Sequence, residues 1–503
     1  MKKYFKAMAG ALALLTAVSA IAGCSTSSSG GTSNDTGANN SSESSVDAGP
    51  TLTSDENVQS AVGELTSNVE DEVSGIEVTD KLIWLAWWKI DENSPEISLF
   101  KELYGVPENV PDGYTAADPG DVFINLNTSY AERYNNLAKY VQSGDSPDCF
   151  PFEIGNYPYS IYSNLFQNVD DLFNFEDDLW ADTKDVIELL KWGEHYYCPV
   201  VSIGCNTVLW YRKSIAAQAG VEDPWTQFQN GEWNWDTFME TCRAFTDPDN
   251  GKYAIDGWYF QKNILATTGT PLIGMEDGKL VGNFNNANIE KAMDMLIKFD
   301  DEAGESLRYP REILNGWGTN PREWNAGNVL FLEDGKWAFE GQTSVGGFKR
   351  LNKDWDEDEV QFVPYPQMPG SDKYYQPMKV DPIMLVASAK NIDGYKAWIY
   401  CNAYTSKDES VSEAFNQQFM ESYECPQYIM DNIAIIEDPE TFTAIFDFME
   451  GIGPDIASGD NGDTPLQTLT FYPYMNGTPY TVQRAEVLPV IQNRIDELNA
   501  TIS

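Results

Sequence analysis

One histidine, His195, serves a chain of 503 residues. That removes most zinc-hydrolase designs and leaves a single imidazole for any Ser-His-Asp relay. Set in Trp192-Gly193-Glu194-His195-Tyr196-Tyr197, it reads as a solvated or hydrogen-bonded structural residue. Six cysteines of the body, Cys149, Cys198, Cys205, Cys242, Cys401 and Cys425, form no C-x-x-C pair, and their pairing stays open. Asp247-Pro248-Asp249-Asn250-Gly251 has the outline of a calcium loop, but Gly251 falls where an oxygen ligand is needed. It reads as a turn, and neither a metal nor a cofactor is expected. With 78 acidic residues some carboxylate pairs must exist, and solvated surface acids explain them without catalysis. What the composition does offer is non-covalent chemistry. The 15 Trp and 26 Tyr supply ring faces for stacking, and amides and carboxylates supply directed hydrogen bonds.

The charge balance narrows the ligand. Net charge is −46, which repels nucleic acid and anionic lipid headgroups and suits a neutral ligand. At the N-terminus Lys2, Lys3 and Lys6 precede the apolar run Ala7 to Ala22, too short to span a bilayer, so residues 1–23 read as a secretory signal. The run ends in Ile21-Ala22-Gly23-Cys24 and resembles a bacterial lipobox, in which Cys24 would carry the lipid anchor. Residues 24–80 contain no aromatic residue and, up to Asp80, no Lys or Arg, which predicts a flexible acidic tether. Within it Val58, Val62, Leu65, Val69, Val73 and Ile76 recur at helical spacing. A stalk helix is the expectation; a coiled-coil seam or a strap on the first lobe are the alternatives.

Elements that could position a site begin at Lys81. Leu82 to Trp88 is apolar on both faces, the pattern of a strand inside a parallel α/β sheet. A short helix over 97–104, an inserted loop over 106–120 and a second strand over 122–127 follow. Ser129 and Glu132 fit a capping box for a helix whose face is Tyr130, Tyr134, Leu137, Ala138 and Val141, stopped by Gly144. Asp148-Cys149-Phe150 makes a third strand, and the alternation predicts a doubly wound sheet. Further helices are predicted from Trp235 to Phe245, around Ile289 to Ile297 and from Leu488 to Ile502.

Several blocks then resemble the extracellular solute-binding proteins of carbohydrate ABC transporters, the maltodextrin- and oligosaccharide-binding type. Tyr130 to Phe150, with Ser143-Gly144-Asp145-Ser146-Pro147-Asp148, is similar to that family's helix, Ser-Gly-Asp-x-Pro-Asp turn and strand. Leu209-Trp210-Tyr211-Arg212-Lys213-Ser214 with Trp233-Asn234-Trp235, Phe331 to Phe339, and Pro364-Tyr365-Pro366 with Ser388-Ala389-Lys390-Asn391 follow in family order. Two departures stand out: the extra residues 106–120, and Gln342-Thr343 where relatives often offer a tryptophan.

The resemblance implies a periplasmic-binding-protein-like fold of type II, with two doubly wound α/β lobes joined by a hinge around a ligand cleft. The first lobe is expected over 81–200 plus 380–430, the second over 201–379 plus 431–503. It implies a receptor and not an enzyme, anchored on the outer face of the cytoplasmic membrane through its lipid alone. The receptor would be a monomer handing a neutral mono- or oligosaccharide to permease subunits. A secreted glycoside hydrolase and a surface adhesin or sensor are the competing readings. Ligands of open α/β sheets sit beyond the carboxyl ends of the strands, which puts Trp87, Trp88, Phe152 and Glu153 in the cleft. Trp258, Tyr259 and Tyr474 are the further candidate platforms, and Asn206, Gln342, Lys379 and Asp381 the further candidate hydroxyl partners. Trp84 alternates inward and is expected in the core.

Overall fold

A computed structural model describes residues 55–502, apart from 112–113, 115–119, 206, 258–259, 301–305, 311–319, 342, 458–463 and 471–476. The signal segment and Cys24 therefore lie outside the described residues. The first element is helix α1, Glu56–Val73, capped by Asp55. Its stripe Val58, Ala61, Val62, Leu65, Val69 and Val73 is buried. The helix lies across Pro95–Tyr104, Ile392–Lys407 and Glu409–Tyr423, with Gln59 bonded to Ser98 at 3.0 Å. The stalk expectation is corrected to the strap alternative: six apolar side chains at helical spacing are covered by the first lobe instead of facing water.

Strands β1 (Leu82–Ala86), β2 (Phe123–Asn127) and β3 (Cys149–Pro151) run parallel, linked through helices α2 (Pro95–Tyr104) and α3 (Arg133–Ser143). The strand Ile383–Leu385 returns from far along the chain and joins β3 antiparallel, completing a four-stranded sheet. Every residue of β1 is buried, Trp84 included. One carboxylate fixes this sheet's edge. Asp148 accepts the N–H of Ile83 at 2.9 Å and of Asn391 at 3.2 Å, while Asn391 donates to the Asp80 carbonyl at 3.0 Å. That is the physical content of the Ser-Gly-Asp-x-Pro-Asp turn: its last residue ties β1, β3 and the returning chain. Helix α3 starts later than its sequence signal. Ser129 accepts the Glu132 N–H at 3.2 Å, but Glu132 is the cap residue and makes no side-chain cap bond. Tyr130 is consequently ahead of the helix and 47% exposed.

A second four-stranded sheet combines Val360–Val363, Val208–Arg212, Val329–Asp334 and Tyr253–Asp256, in that order. Trp235–Phe245 carries the predicted apolar face, with Trp235, Phe238, Met239, Cys242 and Phe245 all buried and a capping box at Asn234 and Thr237. Asp247–Gly251 is a 3₁₀ turn closed by Gly251 at φ 70°. The closing helix, Tyr480–Asn499, buries Val487, Ile491, Ile495 and Leu498. Between the two sheets lies a third. Tyr374–Lys379 pairs parallel with Phe442–Ile445 and antiparallel with Gly204–Cys205. The six body cysteines are buried and form no disulfide among the described residues, and His195 sits on the surface with Nδ1 2.5 Å from Asp170.

Leu65→Ala is expected to cost about 2–5 kcal/mol in urea melts, because it opens a cavity between α1 and the first lobe; a surface-like change near zero would contradict the strap. Buried carboxyls shape the pH response, Asp148 and Asp447 among them. Burial pushes Asp148 and Asp447 up to about 6, partly offset by the backbone N–H groups each accepts. An unfolded aspartate ionises near pH 4, about 3.9. The stability each carboxyl contributes is thus fully present below that pH and lost as pH rises through about 6. The urea midpoint is expected to be higher at pH 5 than at pH 7.5, with a smaller rise in Asp148→Asn. A flat profile would contradict this.

Candidate ligand-binding site

β1 ends at Ala86, and the next two residues are Trp87 and Trp88, both half-buried. Their rings meet edge-on at 4.4 Å, and Trp88 meets Trp84 below it at 5.8 Å. Trp87 also meets the Tyr130 ring edge-on at 5.2 Å and Phe150 of β3 at 6.4 Å. The sheet thus places an aromatic wall at the carboxyl end of its central strand, seated on Trp84 and Phe150 and ending in the exposed Tyr130. In T-shaped packing of this kind the edge of one ring points at the face of its neighbour, so each pair covers one ring face and fixes the relative orientation of the two rings.

Glu153 follows β3, and Arg133 opens α3. The guanidinium grips the carboxylate at two points, Nε to Oε1 at 2.5 Å and Nη2 to Oε2 at 2.6 Å, with both side chains only 12–13% exposed. Burial works against the arginine's charge, but Glu153 more than offsets it and holds the guanidinium's pKa above its ordinary value. Arg133 also covers the Tyr130 ring at 3.6 Å from its centroid, and lies 5.4 Å from that of Trp87, a cation–π arrangement. The pair is internally neutral, so it presents polar edges beside the rings without a net charge. Phe152, also expected in the cleft, is buried and packs between Tyr157 at 5.4 Å and Phe446 at 6.4 Å.

Lys379 and Asp381 form a second group at the end of the central strand of the three-stranded sheet, paired at 2.9 Å. Burial alone would lower the lysine's pKa; Asp381, Glu437 and Glu340 together hold it above its ordinary value. Burial pushes Glu340 up to about 7 against the pull of Lys379. Asn206, Trp258, Tyr259, Gln342 and Tyr474 lie outside the described residues.

Two features were missed in the sequence. Arg133 carries only a weak signal in the sequence, a cation inside an aromatic stretch of a chain with 32 Lys and Arg. The second is a buried polar knot at the end of Val329–Asp334. The Tyr365 hydroxyl donates to Glu333, Asn263 donates to Thr207 at 2.8 Å and to Glu333 at 3.3 Å, and Thr207 meets Tyr365 at 3.1 Å. Gly257 lies so close above it that a Cβ would stand 2.2 Å from the Glu333 Cβ. The glycine before Trp258 is therefore required by packing.

Breaking the buried ion pair on one side is expected to cost about 3–5 kcal/mol, more than replacing both partners by apolar residues. Urea melts of Glu153→Ala against Arg133→Met with Glu153→Met measure the two. Equal losses would contradict a desolvated pair.

The fold has known counterparts. A cyclo/maltodextrin-binding protein complexed with maltotetraose superposes with a TM-score of 0.53 at 14% identity, covering 83% of this chain and 98% of its own. An ABC substrate-binding protein from Listeria monocytogenes in complex with cycloalternan gives 0.55 at 14%, covering 85% and 99%. The sugar-binding protein MalE from Xanthomonas citri gives 0.55 at 14%, covering 83% and 98%. At such identities the likeness establishes the shared two-lobed fold. No curated protein sequence matches the chain. Residues 98–411 match the family described as bacterial extracellular solute-binding protein, and the chain belongs to that family.

Proposed function

We propose that this chain is a receptor for a neutral mono- or oligosaccharide that closes its two lobes on the sugar and delivers it to an ABC importer. The carrying observation is the wall of Trp87, Trp88 and Tyr130 beside the self-neutralised Arg133–Glu153 pair. Sugars offer apolar C–H faces to rings and hydroxyls to polar edges, and they carry no charge that an ion pair must meet. Support comes also from the solved structures of similar fold, whose names refer to maltodextrin, cycloalternan and sugar binding. The lobes are assigned as 81–200 plus 380–430 and 201–379 plus 431–503, around the three-stranded hinge. Lys379 and Asp381 are assigned to that hinge, and Asn206, Trp258, Tyr259, Gln342 and Tyr474 are proposed as further ligand contacts. Cys24 is assigned as the lipid anchor on the outer face of the membrane. The reading is of a binder without catalysis. A carboxylate with both oxygens engaged by a guanidinium, as in Glu153, is a poor proton donor for glycoside cleavage.

Closure that satisfies the ligand's second face favours the closed state. Calorimetry and tryptophan fluorescence over a panel of neutral oligosaccharides are expected to show stoichiometric binding of at least one. Trp87→Ala should weaken it by about 10–100-fold. Release of reducing sugar at a catalytic rate, or no response across the panel, would contradict the receptor.

A further inference from the structure

Just past the strand Phe442–Ile445, a segment of the second lobe lies against the first. Phe446 meets Phe152 at 6.4 Å between ring centroids, and Phe448 meets Tyr157 at the same distance. Gly451 ends the 3₁₀ turn Phe448–Gly451. Its φ lies outside the left-handed region, so the turn itself does not demand glycine. The neighbour does: a Cβ at 451 would stand 1.7 Å from the Tyr157 carbonyl oxygen and 2.8 Å from that of Ile154. Two stretches of backbone from different lobes thus touch with no side chain between them.

The same segment is fastened firmly on its other side. Asp447 accepts the N–H groups of Leu272 at 2.6 Å and Ile273 at 3.0 Å, at the start of a second-lobe hairpin, and caps Met449 at 2.9 Å. Lys262 reaches Glu450 at 3.1 Å. Arg494 of the closing helix donates to the Ile452 carbonyl at 3.0 Å and grips Asp455 at two points of 2.9 Å, with its guanidinium 5.4 Å from the Tyr159 ring centroid. Residues 446–453 are thus bonded to elements of the second lobe and pack against the first. They bear on the loop Phe152 to Tyr159, which also carries Glu153 of the candidate site.

We propose that residues 446–453 are the bearing on which the lobes turn, with Gly451 as the contact that sets how far they can close. Ligand affinity is then governed in part from a position that touches no ligand. A backbone-on-backbone contact permits rotation, whereas a side chain there acts as a wedge beside the loop that holds Glu153. The wedge holds the lobes apart and lowers the population of the closed state. A ligand that needs the closed state binds more weakly in proportion. The affinity part of this inference rests on the receptor reading above; the geometric part does not.

The test uses the full chain carrying Cys24→Ser with spin labels at Lys139→Cys and Asp294→Cys, one on an exposed site of each lobe; the six native body thiols are buried. Without ligand, Gly451→Val is expected to lengthen the interlobe distance, with Gly451→Ala intermediate. Saccharide affinity is expected to fall by about tenfold or more in the valine variant. Unchanged distance and unchanged affinity in a variant that still melts cooperatively would overturn the proposal. If the valine variant does not fold, Gly451→Ala decides by the same two readings. If the native chain binds no saccharide, the receptor reading fails, and the label distance alone still decides whether Gly451 is the bearing.

Discussion

Gly204–Cys205, Tyr374–Lys379 and Phe442–Ile445 are far apart in sequence, yet all three pair within one short sheet. That arrangement constrains the rest of the molecule. Strands from three separate parts of the chain are locked in register, since none can slide without breaking ladder bonds to its neighbours. Side bonds reinforce the sheet: Gln376 donates to the Ile436 carbonyl at 2.7 Å, and Glu437 accepts the Cys205 N–H at 3.3 Å. In the proposed receptor such a sheet would serve as the hinge, where a large movement needs few changes in φ and ψ. It also explains why the lobes cannot be cut from the sequence as consecutive blocks.

The first sheet was legible because its signals are local. The run Leu82 to Trp88, the alternation near Phe123 and the turn before Cys149 each read correctly, since strand burial and turn chemistry act over a few residues. Trp84 was rightly expected in the core. The second lobe's helix Trp235–Phe245 was equally plain, because its five apolar positions keep helical spacing. What failed was context. The stripe from Val58 to Val73 shows that a helix forms, but the surface covering it comes from residues more than twenty positions away. Composition around that helix suggested solvent, and tertiary packing prevailed.

The candidate site shows the same division. Trp87, Trp88 and Glu153 follow from one rule, that ligands meet α/β sheets beyond their carboxyl ends. Arg133 did not, because its role depends on a pairing with Glu153 that no spacing announces. The pair matters in a chain this acidic. With 78 Asp and Glu against 32 Lys and Arg, a lone buried carboxylate beside the rings would attract cations and repel other carboxylates. Arg133 cancels that charge while leaving polar atoms next to an aromatic surface. Phe152, expected in the cleft from its position after β3, packs against Tyr157 and Phe446. It links the site loop to the interlobe contact.

In the proposed receptor, two rigid sheets are brought together by an uncharged sugar. Small-angle scattering of the chain, with and without a saturating saccharide that calorimetry shows to bind, measures that movement without reference to any one residue. A smaller radius of gyration in the bound state is the expected result. An identical scattering curve in the presence of bound saccharide would mean that the lobes do not close on their ligand, and the central claim would fall.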